Sequence, residues 1–60
     1  MKEQVLKILE NVYEAKDLIT INDMLNLTTA EELKDLSDTL DELVNEYVVF
    51  KTKKDKYILL

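Results

Sequence analysis

The spacing of apolar residues changes character once along this chain, and that change limits the folds open to it. Up to Glu46 the apolar positions keep a helical period; from Tyr47 onward they lie in a stretch rich in β-forming residues. Polar breaks divide the helical part. From Lys2 to about Glu14, Val5, Leu9 and Val12 share one face, with Lys2, Glu3, Lys7, Glu10, Asn11 and Glu14 on the other side. Thr20 suits an N-cap, with Asp23 three residues on, and opens a brief helix carrying Ile21, Met24 and Leu25. Asn26 stands where a left-handed residue ends such a helix, and asparagine tolerates that conformation better than most. Thr28–Glu32 then offers a capping box, either Thr29 with Glu32 or Thr28 with Glu31. Behind it Leu33, Leu36, Leu40, Leu43, Val44 and Tyr47 make an apolar stripe of about four turns.

Beyond this helix, Tyr47–Lys53 and Lys56–Leu60 read as two strands about a two-residue turn at Lys54-Asp55. Pairing Lys53 with Lys56 sets Thr52 against Tyr57 and Phe50 against Leu59. Phe50, Thr52, Tyr57 and Leu59 then share one face, and Lys51, Lys53, Lys56 and Ile58 the other. A lone hairpin is marginal in water, so Leu18-Ile19-Thr20 is expected to add a short third strand at its edge. Helix, short strand, short helix, long helix and hairpin is the order of an α+β winged helix-turn-helix, one domain over residues 1–60.

There is no glycine and no proline, so turns fall to residues such as Asn22, Asn26 and Asp55. Apolar residues are 47% of the chain and charged ones 35%, a globular balance. The lack of cysteine excludes disulfides and thiolate metal sites, and the lack of histidine removes the commonest general base. The threonines at positions 20, 28 and 29 read as caps, since no base is available to activate them. No apolar run reaches the roughly 18 residues of a membrane span. A cytoplasmic binding domain that is not itself an enzyme, monomeric and without membrane contact, is expected. The run Ile58-Leu59-Leu60 is expected to fall at a domain boundary, making the chain an N-terminal piece of a larger protein.

The net charge of −5 conceals an asymmetry. Residues 1–50 hold four lysines against twelve acids, whereas residues 51–60 hold Lys51, Lys53, Lys54 and Lys56 against Asp55 alone. Between Thr28 and Glu46 a single lysine, Lys34, faces seven acids, and the apolar stripe leaves Asp35, Asp38 and Glu42 outward. Carboxylates oppose phosphate, so this helix is a poor candidate for reading a major groove as a transcriptional regulator would. The hairpin lysines are the better contact for a nucleic-acid backbone, with Tyr57 as a ring for an unpaired base. Each has a plainer role: lysines keep exposed hairpins from pairing edge to edge, and a strand tyrosine commonly packs in a core. A second use of the domain is protein interaction through Asp35, Asp38 and Glu42. As metal ligands Asp35, Asp38, Asp41 and Glu42 lack the spacing and glycine of a calcium loop, and a solvated helix face accounts for them.

Glu31-Glu32-Leu33-Lys34 through Leu40-Asp41-Glu42-Leu43, followed by Lys51-Thr52-Lys53-Lys54-Asp55-Lys56-Tyr57-Ile58-Leu59, resembles the N-terminal winged-helix domain of bacterial ribonuclease R-type exoribonucleases. The resemblance spans essentially the whole chain and is carried chiefly by the lysine-threonine-lysine wing and its Lys-Tyr return strand. In that family glycine follows the third helix and sits in the wing turn; here Tyr47 and Asp55 occupy those positions. The resemblance implies an accessory domain of a processive 3′-to-5′ exoribonuclease, a hydrolase. Its partners would be single-stranded or structured RNA and other domains of the same enzyme. It implies magnesium for the parent enzyme's catalytic domain, no cofactor within this one, and no catalytic residue at any position here.

Overall fold

The two ends of the longest helix show how this chain turns without glycine. In the computed structural model, which describes all 60 residues, α3 runs from Ala30 to Asn45. Thr29 is its extended N-cap, accepting from the Glu32 amide at 3.1 Å, while the Glu32 carboxylate accepts from the Thr29 amide at 3.3 Å. The capping box is thus Thr29 with Glu32, and Glu32 also accepts from the Thr28 amide. At the other end Glu46 caps, and Tyr47 takes a φ of 61°. The Val48 amide donates to the Leu43 carbonyl and the Tyr47 amide to that of Val44, the paired bonds of a Schellman ending. That geometry turns Tyr47 off the apolar stripe it was expected to extend, and leaves it 84% exposed.

The preceding helix, α2 (Leu18–Met24), ends in the same way. Asn26 has a φ of 58°, the Leu27 amide donates to the Asn22 carbonyl, and the Asn26 amide to that of Asp23. The left-handed asparagine is where the sequence suggests. The start of α2 is not. Asp17 is the N-cap in place of Thr20, its carboxylate accepting from the Thr20 amide at 2.8 Å. Aspartate is the stronger capping acceptor, so Leu18, Ile19 and Thr20 form the first helical turn rather than a strand. The edge strand β1 is the two residues before them, Lys16–Asp17.

The first helix, α1, covers Lys2–Leu9 and stops short of Glu14. The Asn11 side chain donates to the Lys7 carbonyl, which the Asn11 amide would take in a continuing helix; that amide goes to Ile8 instead. The Val12 amide likewise reaches back three residues, to Leu9, tightening the turn before the chain leaves for β1.

The hairpin strands are β2 (Val49–Lys51) and β3 (Lys56–Leu59), and β3 lies between β1 and β2, antiparallel to both. The register pairs Val49 with Leu59, Phe50 with Ile58 and Lys51 with Tyr57, one residue away from that expected of a two-residue turn. A slip of one exchanges the faces of a strand. Tyr57 points inward with Val49, and Phe50 points out with Ile58. Val5, Leu9, Ile21, Leu36, Leu40, Leu43, Val49 and Tyr57 make one core, to which all three helices and the hairpin contribute. Leu6, Leu18, Leu25, Leu27, Val44, Val48 and Leu59 ring it. The chain is an α+β domain of three helices and a small three-stranded antiparallel sheet, and no helix is long and apolar enough to cross a membrane.

Candidate nucleic-acid interface

The register slip originates in the hairpin loop. Thr52 donates its amide to the Lys56 carbonyl at 2.8 Å, and Asp55 donates to the Thr52 carbonyl at 3.0 Å, closing a turn over Lys53 and Lys54. Asp55 follows at a φ of 60°, the left-handed residue that completes a three-residue loop. The Thr52 hydroxyl accepts from the amides of Lys54 and Lys56, at 3.3 and 3.1 Å, pinning the loop from inside. Aspartate tolerates the left-handed region because its short side chain bonds locally. The absence of glycine therefore does not impose the two-residue turn.

This loop sorts the four lysines. Lys53 and Lys54 stand at the tip, exposed and without an ion pair. Lys56 is exposed on the outer sheet face, opposite Asp17 of β1. Lys51 is partnered at the surface: its ammonium lies 3.7 Å from the Asp55 carboxylate and 5.8 Å from the centre of the Tyr57 ring. Cation–π attraction acts over that distance. Tyr57 itself is 4% exposed, packed in the core. It presents no face to a base, so the stacking role expected of it is withdrawn. The aromatic that the sheet does expose is Phe50, 52% open to solvent. It went unrecognised in the sequence because the assumed register placed it beside Tyr57; a left-handed Asp55 was the signal that would have corrected the pairing.

Asp17 ties the sheet to α2. Hydrogen bonding by Thr20, through its side chain and then its amide, holds the Asp17 carboxyl below the usual range, with smaller help from Lys56 and Lys16. Asp17 therefore stays ionised at the helix end, where its charge opposes that of Lys56 across the β1–β3 pair.

The acidic surface lies elsewhere. Asp35, Asp38 and Glu42 are all exposed on α3, as their spacing requires. They are not equivalent. Lys2 bridges from α1 to Glu42 at 2.8 Å and to Glu46 at 2.9 Å, and these hydrogen bonds, Glu42 first, raise the lysine above its ordinary value. Asp35 and Asp38 have no ion-pair partner. Glu32 is held below the usual carboxylate range by the Thr29 hydroxyl and then the Thr28 amide.

No three acidic side chains converge on a common point as metal ligands would. An open cleft of about 490 Å³ runs between Met1, Gln4, Leu25, Leu27, Glu32 and Asp35. Its lining has two carboxylates and no lysine, and so does not suit a phosphate. Exposed cations at one end of the sheet, an exposed aromatic beside them and a carboxylate-bearing long helix elsewhere are the chemically distinct surfaces of the domain. No protein-family model matches the chain, and no curated protein sequence matches it.

Proposed function

We propose that this is a winged-helix domain that binds nucleic acid, RNA foremost, weakly and without sequence preference, through the lysines of its wing. The observation that carries this reading is the segregation of charge. Lys53, Lys54 and Lys56 are exposed on the hairpin, while the outward residues of α3 include Asp35, Asp38 and Glu42. Presenting α3 to a groove would bring carboxylates against phosphates; presenting the tip brings ammonium groups. The order α1-β1-α2-α3-β2-β3, with β3 between the other strands, supports the winged-helix assignment. The ribonuclease R-type resemblance gives RNA as the polymer and an exoribonuclease as the parent. Tyr47 and Asp55, the positions where that family carries glycine, both hold the left-handed conformation glycine adopts freely. Lysine is a point charge on a flexible stem, so the contact reads phosphate rather than base.

A salt titration tests the proposal. Three exposed lysines displace up to about three counterions from a single strand, and the logarithm of affinity against that of salt should fall with a slope of about −2 or shallower. Reversing Lys53 and Lys54 to glutamate should flatten that slope. Amide shifts confined to Asp35, Asp38 and their neighbours on adding duplex DNA would overturn the charge argument. The same shifts on adding a basic protein, with none from any nucleic acid, would move the function to the acidic surface of α3.

A further inference from the structure

We propose that the outer face of the sheet, where Phe50 stands opposite Ile58, is a platform on which an unpaired base of a single-stranded nucleic acid stacks. The proposal rests on the wing reading above and adds to it a recognition element that needs bases as well as phosphates.

The inner face of the sheet is accounted for: Val49 and Tyr57 are sealed in the core. The outer face is not. Phe50 and Ile58 are paired across β2 and β3, so their side chains lie side by side on one surface. Phe50 keeps 52% of its surface in water and Ile58 is half-buried. Together they form a small flat apolar surface with an aromatic ring in it. Lys56 rises from the same face two residues before Ile58, and the loop carrying Lys53 and Lys54 joins the two strands. The carboxylate that the register places on this face is Asp17, already engaged by Thr20. The platform is therefore apolar at its centre and cationic toward the tip.

Charge selects the occupant. A second copy of the chain brings the same lysines and no free anion on that face. A duplex offers phosphates but keeps its base faces stacked inside. A single strand offers both partners at once: phosphates for the tip lysines and, one nucleotide along, a π-face for Phe50. Every base has such a face, so stacking leaves the binding sequence-independent, in keeping with lysine contacts.

The test uses fluorescence anisotropy with oligouridine of about ten nucleotides, within the footprint of single-strand sites, together with oligothymidine and an abasic strand of equal length. Phe50→Ala should weaken oligouridine binding about fivefold or more, Phe50→Trp should restore it, and Phe50→Leu should not. The abasic strand should bind the unaltered protein as weakly as oligouridine binds Phe50→Ala, and that variant should bind it no worse. The same loss is expected with oligothymidine, since stacking ignores the sugar. Phe50 lies outside the core, so the circular dichroism of the variants should be unchanged. If Phe50→Ala binds oligouridine normally while charge reversal at Lys53 and Lys54 abolishes binding, the platform is wrong and the wing reading stands. If no strand binds with salt dependence, the wing reading fails first. Sedimentation showing a dimer that Phe50→Ala dissociates would assign the face to self-association and end the proposal.

Discussion

Replacing Tyr47 by glycine should make the domain more stable, although it removes a large aromatic side chain. Tyr47 is the left-handed residue that ends α3, at a φ of 61°. A side chain with a Cβ costs about 1–2 kcal/mol in that region relative to the ordinary helical one. Glycine escapes this cost but gains freedom in the unfolded chain, which returns about 0.4–1 kcal/mol. The ring is 84% exposed, so its loss forfeits little buried surface. The balance favours glycine by about 0.5–1 kcal/mol. At about 2.1 cal/mol/K per residue, this chain unfolds with an entropy of about 0.13 kcal/mol/K, so Tm should rise by about 4–8 °C. Thermal scans by circular dichroism on Tyr47→Gly, Tyr47→Ala and Tyr47→Asn would measure it. Alanine removes the ring and keeps the backbone cost, so its Tm should stay near that of the unaltered chain. Asparagine should fall between alanine and glycine. A Tyr47→Gly protein no more stable than the original, or an alanine variant equally stabilised, would refute the backbone explanation.

Other expectations follow from the core, a cap and the ionisable groups. Leu40→Ala removes a side chain with no solvent exposure and should cost about 2–5 kcal/mol. That is comparable to the whole stability of a 60-residue domain, about 3–9 kcal/mol, so urea unfolding should show a transition shifted nearly to zero denaturant. Thr29→Ala deletes the N-cap acceptor of α3 and should cost about 1 kcal/mol, read as a lower urea midpoint with an unchanged slope. Asp17 and Glu32 titrate below their ordinary values in the folded state, so they stabilise it above the unfolded pKa values near 4 and lose that contribution as pH falls through the folded ones. Midpoints measured from pH 6 to pH 2 should therefore decline, and Asp17→Asn with Glu32→Gln should flatten the decline. Lys2 has the opposite sign: its raised value makes its support fully present below about pH 10.4, and lost as pH climbs through the folded value.

How far the structure was readable depended on whether a signal was local. The Thr29–Glu32 box and the spacing of Leu36, Leu40 and Leu43 need only neighbouring residues, and α3 lies where they put it. Asn26 was readable for the same reason, as the residue best able to replace glycine at a helix end. The start of α2 was a contest between two capping acceptors three residues apart, and the charged one, Asp17, prevailed. α1 ended early because the Asn11 side chain took the Lys7 carbonyl, a competition that apolar periodicity does not register. The hairpin register hung on one backbone angle at Asp55. Without glycine to mark it, a three-residue loop looked like a two-residue one, and Phe50 and Tyr57, expected on one face, lie on opposite faces. The hairpin lysines were legible as a group because their crowding does not depend on register; which of them is free did.

The middle position of β3 also bears on how the domain assembles. Both strands that it joins precede it in the sequence, and its pairing with β1 sets Lys16 beside Tyr57. The β2–β3 pairing is local, closing over a three-residue loop, whereas the β1–β3 pairing brings together residues distant in sequence. Tyr57 packs in the core, so the strand leading out of the lysine-bearing loop is anchored there. The orientation of the loop is therefore inseparable from closure of the interior.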